Sequence, residues 1–136
     1  MATYVKFQNF VEELGKGLIQ LHAAGHTLKV YLTNNTPSVS DDAYKADLIG
    51  ITDENGYEAA DIQNDATETA GTLTVTAVDV EWTATGAVGP FRYAVVYDDT
   101  HASDALVCYW DYGSSISLAN GEKFKIDFGA SLFTLA

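Results

Sequence analysis

The densest group of side chains that could do chemistry is "DDTHASDA", which holds Asp98, Asp99, His101 and Asp104. Hard cations such as calcium take several oxygen ligands, and such a loop could supply them. The spacing is not that of an EF-hand, because the loop glycine and the terminal glutamate are missing. Acidic loop residues are ordinarily just solvated, so no metal ligand is assigned, and cation binding by the Asp98–Asp104 loop stays open. Asp41 and Asp42 form a second acidic pair that suits a helix start better than a site. Histidine occurs only at positions 22, 26 and 101. His22 and His26 fall where a helix is expected to end, and a cation there suits the dipole. Cys108, the single cysteine, excludes an internal disulfide and a cysteine-based zinc site. Within "ALVCYWDY" it reads as a small core residue. A Cys–His nucleophile needs a proximity that nothing in the spacing indicates. Asp111 reads as a solvent-facing strand carboxylate, the alternative being a carboxyl with a raised pKa. The glycines are scattered through turns and form no phosphate loop. No catalytic, cofactor-binding or metal residue is assigned, and the expectation is a protein that is not an enzyme and needs no cofactor.

The charge balance narrows the partners. Nineteen acidic and 7 basic residues give a net charge of −12. Phosphate binding needs a cationic footprint, so nucleic acid is not expected as a ligand, nor is an anionic membrane surface. No apolar run approaches the roughly 20 residues of a membrane span. The start, "MATYVKFQNFVEEL", lacks the basic segment and short apolar core of a signal peptide, so folding in a cytoplasm is expected. At 136 residues, with 47% hydrophobic residues, the chain is expected to form one domain, 1–136, with a substantial core.

The elements that must hold these residues are mostly strands. Residues 4–22 read as an amphipathic helix: Phe7, Phe10, Val11, Leu14, Leu18 and Leu21 make one apolar stripe. Thr3 is the expected N-cap and Gly25 the expected stop. From residue 27 to 136 the texture is that of strands. "TLKVYLT" alternates; "TLTVTAVDVEW" alternates with a slip between Ala77 and Val78 that suggests a β-bulge. "FRYAVVY" is apolar on both faces, as in a strand covered on both sides. The expected covers are an opposite sheet and the N-terminal helix. "ALVCYWDY", "SISL", "KFKIDF" and "SLFTLA" follow, with Ala119-Asn120-Gly121-Glu122 as a hairpin turn. Residues 38–71 read as a polar loop or arm, with a turn at Asn55-Gly56. The expected fold is mainly β: an antiparallel β-sandwich or small barrel with an N-terminal α-helix. Trp82, Phe91, Tyr93, Val95, Cys108, Trp110, Phe124, Ile126 and Phe128 are the expected core. Eight tyrosines suit either strand packing or an exposed protein-binding surface.

Three segments together resemble a known group. They are "KFQNFVEELGKGLIQLHAAGHTLKVYLTNNTP", "GPFRYAVVYDDT" and "CYWDYGSSISLANGEKFKIDF". They are similar to small structural proteins encoded among the virion genes of tailed bacteriophages, across nearly the whole chain apart from residues 38–71. The resemblance implies a non-enzymatic virion structural protein, above all a capsid decoration (cement) protein that stabilises the assembled head. Its partners would be the major capsid protein and copies of itself. It would sit on the capsid exterior and pass through the host cytoplasm during assembly. A tail or baseplate protein and a carbohydrate-binding β-sandwich module are the alternatives. The helix and the 38–71 segment are the expected points of contact with neighbours.

Overall fold

A computed structural model describes residues 3–136 and shows a mainly β architecture built from antiparallel pairs. The elements in order are β1 (Val5–Lys6), α1 (Gln8–Gly15), β2 (Leu28–Thr33), a 3-10 turn (Lys45–Asp47), β3 (Ala60–Asp61), β4 (Asp65–Thr69), β5 (Thr72–Thr76), β6 (Val80–Thr83), β7 (Val88–Asp98), β8 (Leu106–Leu118), β9 (Lys123–Ile126) and β10 (Phe133–Leu135). Among the described residues no helix is long and apolar enough to cross a membrane.

One layer is a five-stranded sheet in the order β1-β8-β7-β2-β3. Its heart is β7, paired with β2 on one side and β8 on the other. The second layer consists of two small sheets, β10-β5-β4 and β6-β9. They continue one another: β5 runs into β6, β9 runs on towards β10, and the pairings Val75–Phe133 and Val80–Ile126 lie along the same two chain segments. The slip at Ala77 and Val78 is thus a break between two sheets, not a bulge inside one strand. Val78 leaves the ladder to donate its N–H to the Ile62 carbonyl, and Asp79 accepts from the Phe128 N–H. Bulges occur instead in β7–β8, where the register shifts between Phe91 and Tyr93.

That shift also changes the faces. Leu28, Val30, Leu32, Phe91, Val96 and Cys108 pack between the layers. Tyr31, Tyr93, Val95, Tyr97 and Leu106 form a second cluster on the outer face, with Phe7 and Leu48. Strand β7 is therefore apolar on both sides for the expected reason, but the outer cover is mainly the segment around Leu48, not the helix. Of the expected core, Trp82, Phe91, Tyr93, Val95, Cys108 and Phe128 are buried. Trp110, Phe124 and Ile126 are only partly covered.

The N-terminal helix is shorter than its apolar stripe suggests. It spans Gln8–Gly15, and β1 precedes it, so Thr3 is not its cap. It ends at Gly17, which has φ 73°. The Gly17 N–H reaches the Leu14 carbonyl and the Leu18 N–H reaches that of Glu13, the paired bonds of a Schellman ending. Phe10 and Leu21 enter the core while Val11 and Leu18 stay exposed.

Residues 38–71 are not a free arm. They contain the 3-10 turn, β3 and β4, and bury Leu48, Tyr57 and Ile62. Single polar atoms fasten them to the sandwich. The Tyr57 hydroxyl accepts the Leu32 N–H at 2.8 Å, and the Trp82 indole donates to the Glu58 carbonyl at 2.8 Å. Asn64 accepts from Leu28 N–H and donates to the carbonyls of Leu21 and His26. The Asn55-Gly56 turn docks on residues 85–87 and joins no two paired strands. The turn at 119–122 likewise carries the chain between layers: β8 pairs with β7, and β9 with β6.

Candidate functional site

The acidic loop between β7 and β8 folds into a polar knot. Asp98, at the end of β7, is wholly buried. One carboxylate oxygen accepts the N–H groups of Thr100 and His101, and the other meets His26 Nδ1 at 2.5 Å. His101 Nδ1 accepts the Ser103 N–H at 3.0 Å, so Nε2 carries the proton that Glu13 Oε2 receives at 2.7 Å. The Tyr44 hydroxyl donates to the other oxygen of Glu13. The His101 hydrogen bond leads the effects that hold the Glu13 carboxyl below its usual range. Asp99 turns to Lys29 at 3.2 Å. Burial, aided by the Asp99 charge, raises the Asp104 carboxyl.

The loop thus brings Asp98 and His101 together but spends them on structure. Asp98 and Asp99 point at different partners, His26 and Lys29, and Asp104 makes its bonds through the backbone, its N–H to the His101 carbonyl and its carbonyl from the Lys45 N–H. Among the described residues no group of three or more His, Cys, Asp or Glu is arranged to hold a metal ion. What the knot does is pin α1 through Glu13, the 22–27 connection through His26, and the 38–71 segment through Tyr44 to one end of the main sheet. His22 is exposed and takes no part. Cys108 is completely buried, which pushes its thiol far above its usual range. Asp41 and Asp42 close a local turn in which Asp42 accepts the Ser38 N–H.

A different part of the molecule offers a concave surface. A groove of about 370 Å³ opens between the two layers, on the side where β8 and β9 are the outer strands. Leu32, Phe91 and Ala94 contribute from the main sheet, Trp110 and Tyr112 from β8, and residues 124–128 from β9 and beyond. The aromatic rings contact one another: Phe91 meets Phe124 edge-on at 4.8 Å, Tyr112 meets Phe124 at 6.0 Å, and Trp110 meets Phe128 at 5.6 Å. The volume falls within the range of ligand clefts, and the lining is mainly apolar and aromatic, with Arg92, Lys125 and Asp127 as its charged members.

The rim has a specific construction. Between the pairs Phe91–Ile116 and Tyr93–Asp111, Arg92 alone on β7 faces the four residues 112–115 on β8. The excess chain "YGSS" bulges outward. It is fastened at its base by a two-pronged ion pair, Arg92 Nε to Asp111 Oδ1 at 2.8 Å and the terminal nitrogen to Oδ2 at 3.1 Å. Gly113, with φ 102°, turns the chain and donates its N–H to Asp111. The Arg92 hydrogen bonds hold the Asp111 carboxyl below its usual range, the reverse of the raised pKa that is the alternative reading of the sequence. Tyr112 is held 60% exposed as a result.

At one end of the groove Tyr4 meets Trp110 edge-on and Phe133 at a tilt, and Phe10 meets Phe133 edge-on. Strand β1 covers β8 at Cys108 and Tyr109 and goes no further. Beyond it the groove begins. Sequence patterning assigns Trp110, Phe124 and Ile126 to the interior; all three pack against the core from partly covered positions that line the groove, and alternation carries no signal of that opening.

Compared with known proteins, the chain matches no family model, no curated protein and no solved structure.

Proposed function

We propose that the protein is a non-enzymatic structural protein of a tailed-phage virion, a capsid decoration protein that binds the assembled head through the aromatic groove. The observation that carries this reading is the convergence of the resembling segments. "GPFRYAVVYDDT" supplies Phe91, Arg92 and Ala94, and "CYWDYGSSISLANGEKFKIDF" supplies Trp110, the clasped Tyr112 bulge and the Phe124–Phe128 wall. The stretches behind the resemblance meet at one exposed, aromatic surface.

Energetics supports attachment there. Aromatic side chains bury much area at modest entropy cost and dominate interface energies. Repetition on a lattice makes many modest contacts act together. The charge is also unevenly spread: residues 38–71 carry nine acidic side chains and one lysine. Placed outward, that face suits a solvent-exposed exterior and keeps copies soluble. Antibody labelling of virions by electron microscopy tests the placement. Label on heads is expected; label confined to tails selects the tail alternative.

The exposed Tyr112 and the partly buried Trp110 near it favour one second reading, a carbohydrate-binding module. Saturable binding on a glycan array, lost in Tyr112→Ser, selects it.

A further inference from the structure

We infer that the groove seats an extended strand donated by another protein, which pairs with the free edge of β9 and lays alternate apolar side chains between the layers. The first observation is the edge itself. Strand β9 pairs only with β6, and among the described residues its backbone makes no other backbone hydrogen bond. The antiparallel pattern points alternate N–H and C=O groups away from β6. The contiguous run 124–128 lines the groove, including Lys125 and Asp127 as well as the inward-facing Phe124 and Ile126. A run without alternation means that the backbone edge borders the groove, not one face of the strand. Four residues offer a ladder of about 13 Å.

The second observation is how the two edges are treated. Strand β8 is blunted as a template by the 112–115 bulge, a usual way to prevent strand addition. Strand β9 has two edge lysines, but these lean back across β6: Lys123 towards Glu81 at 3.9 Å and Lys125 towards Asp79 at 3.7 Å. The β9 edge is left open while its neighbour is closed.

The third observation is charge. Arg92 is paired with Asp111 and Lys125 leans towards Asp79, so the lining's cations are answered by this chain's own carboxylates and the groove interior favours uncharged side chains. Asp127 is exposed on the rim and satisfies only the Gly129 N–H. A strand with apolar residues at alternate positions and a Lys or Arg at one flank fits this site, in the manner of strand addition to a sheet edge. A net charge of −12 on every copy disfavours a second copy as the donor and favours a basic one. Naming the donor as a strand of the shell protein rests on the decoration reading; the fit of an extended strand does not.

Hydrogen exchange tests both parts. The intact protein is measured alone, with the synthetic peptide Lys-Val-Thr-Phe-Thr-Val-Thr-Lys in excess, and with phage heads stripped of it. Protection of amides in 123–126 by about ten-fold or more is expected with both probes, and its loss in Tyr112→Asp, with an unchanged melt of that variant as the control on its fold. Heads that bind but protect only other residues overturn the strand site and keep the decoration reading. Peptide protection without head binding keeps the strand site and overturns the decoration reading. Protection by neither probe overturns the strand site. Concentration-dependent dimers that protect 123–126 without any probe overturn the foreign donor.

Discussion

Replacing Glu13 by Ala removes the centre of the polar knot. The carboxylate receives the His101 Nε2 proton at 2.7 Å and the Tyr44 hydroxyl at 3.3 Å. The His101 side chain is only 10% exposed, so water does not replace the lost acceptor. A hydrogen bond to a charged group contributes about 1.5–3 kcal/mol, and a donor left buried keeps its desolvation penalty. Tyr44 is only partly buried, so its hydroxyl can turn to water and adds little. The expected loss is about 2–3 kcal/mol. With an unfolding entropy of about 2.1 cal/mol/K per residue, the whole chain has roughly 0.3 kcal/mol/K, and Tm falls by about 7–10 °C. The sign with pH follows from the direction of the shift. Glu13 is held below its usual range, so its contribution is complete above the unfolded-state value near 4.3 and fades as pH falls through the lower folded value. Melts followed by circular dichroism between pH 7 and pH 3 should show the two proteins converging below about pH 4. A double-mutant cycle with His101→Phe should give coupling of about 1 kcal/mol or more. A Tm difference under about 2 °C at pH 7, or one that persists unchanged to pH 3, refutes the reasoning.

Three other outcomes follow from the packing. Phe10→Asp should unfold the protein and not merely detach it, because Phe10 is 2% exposed and packs on Phe133; a cooperative melt within a few degrees of wild type contradicts this. Melts with and without EDTA should coincide, since Asp98 and Asp99 are turned to His26 and Lys29 and the described residues hold no group of three or more His, Cys, Asp or Glu arranged for a metal ion; a large drop restored by calcium would point back to Asp98, Asp99 and Asp104. Cys108 should react with a disulfide reagent only as fast as the sandwich opens, given complete burial and a raised thiol; labelling within the mixing time contradicts that.

Much of the strand layout is legible, because Leu28, Val30 and Leu32 of β2 alternate towards the core and β7, apolar on both faces, must be covered on both sides. Features set by single atoms are not legible. Gly25 reads as the helix stop, yet Gly17 ends α1 because positive φ is free of strain there. The 38–71 segment reads as polar loop because its few buried anchors, Leu48, Tyr57, Ile62 and Asn64, are widely spaced and carry no period. The turn at 119–122 has hairpin chemistry, but turn type does not decide whether the flanking strands pair or part. The cluster at Asp98 to Asp104 was visible as composition; that Glu13 and His26 would claim it depends on contacts across 88 and 72 residues. The groove lies in the same class. Its aromatic residues were visible, while the opening between the layers is a matter of where short strands end.

The central claim is that this protein reinforces a phage head. The direct measurement is the temperature at which heads release DNA, recorded for heads lacking the protein and for the same heads after it is added back. The account predicts a higher release temperature with wild-type protein and no gain with Tyr112→Asp. Equal release temperatures with and without wild-type protein contradict it.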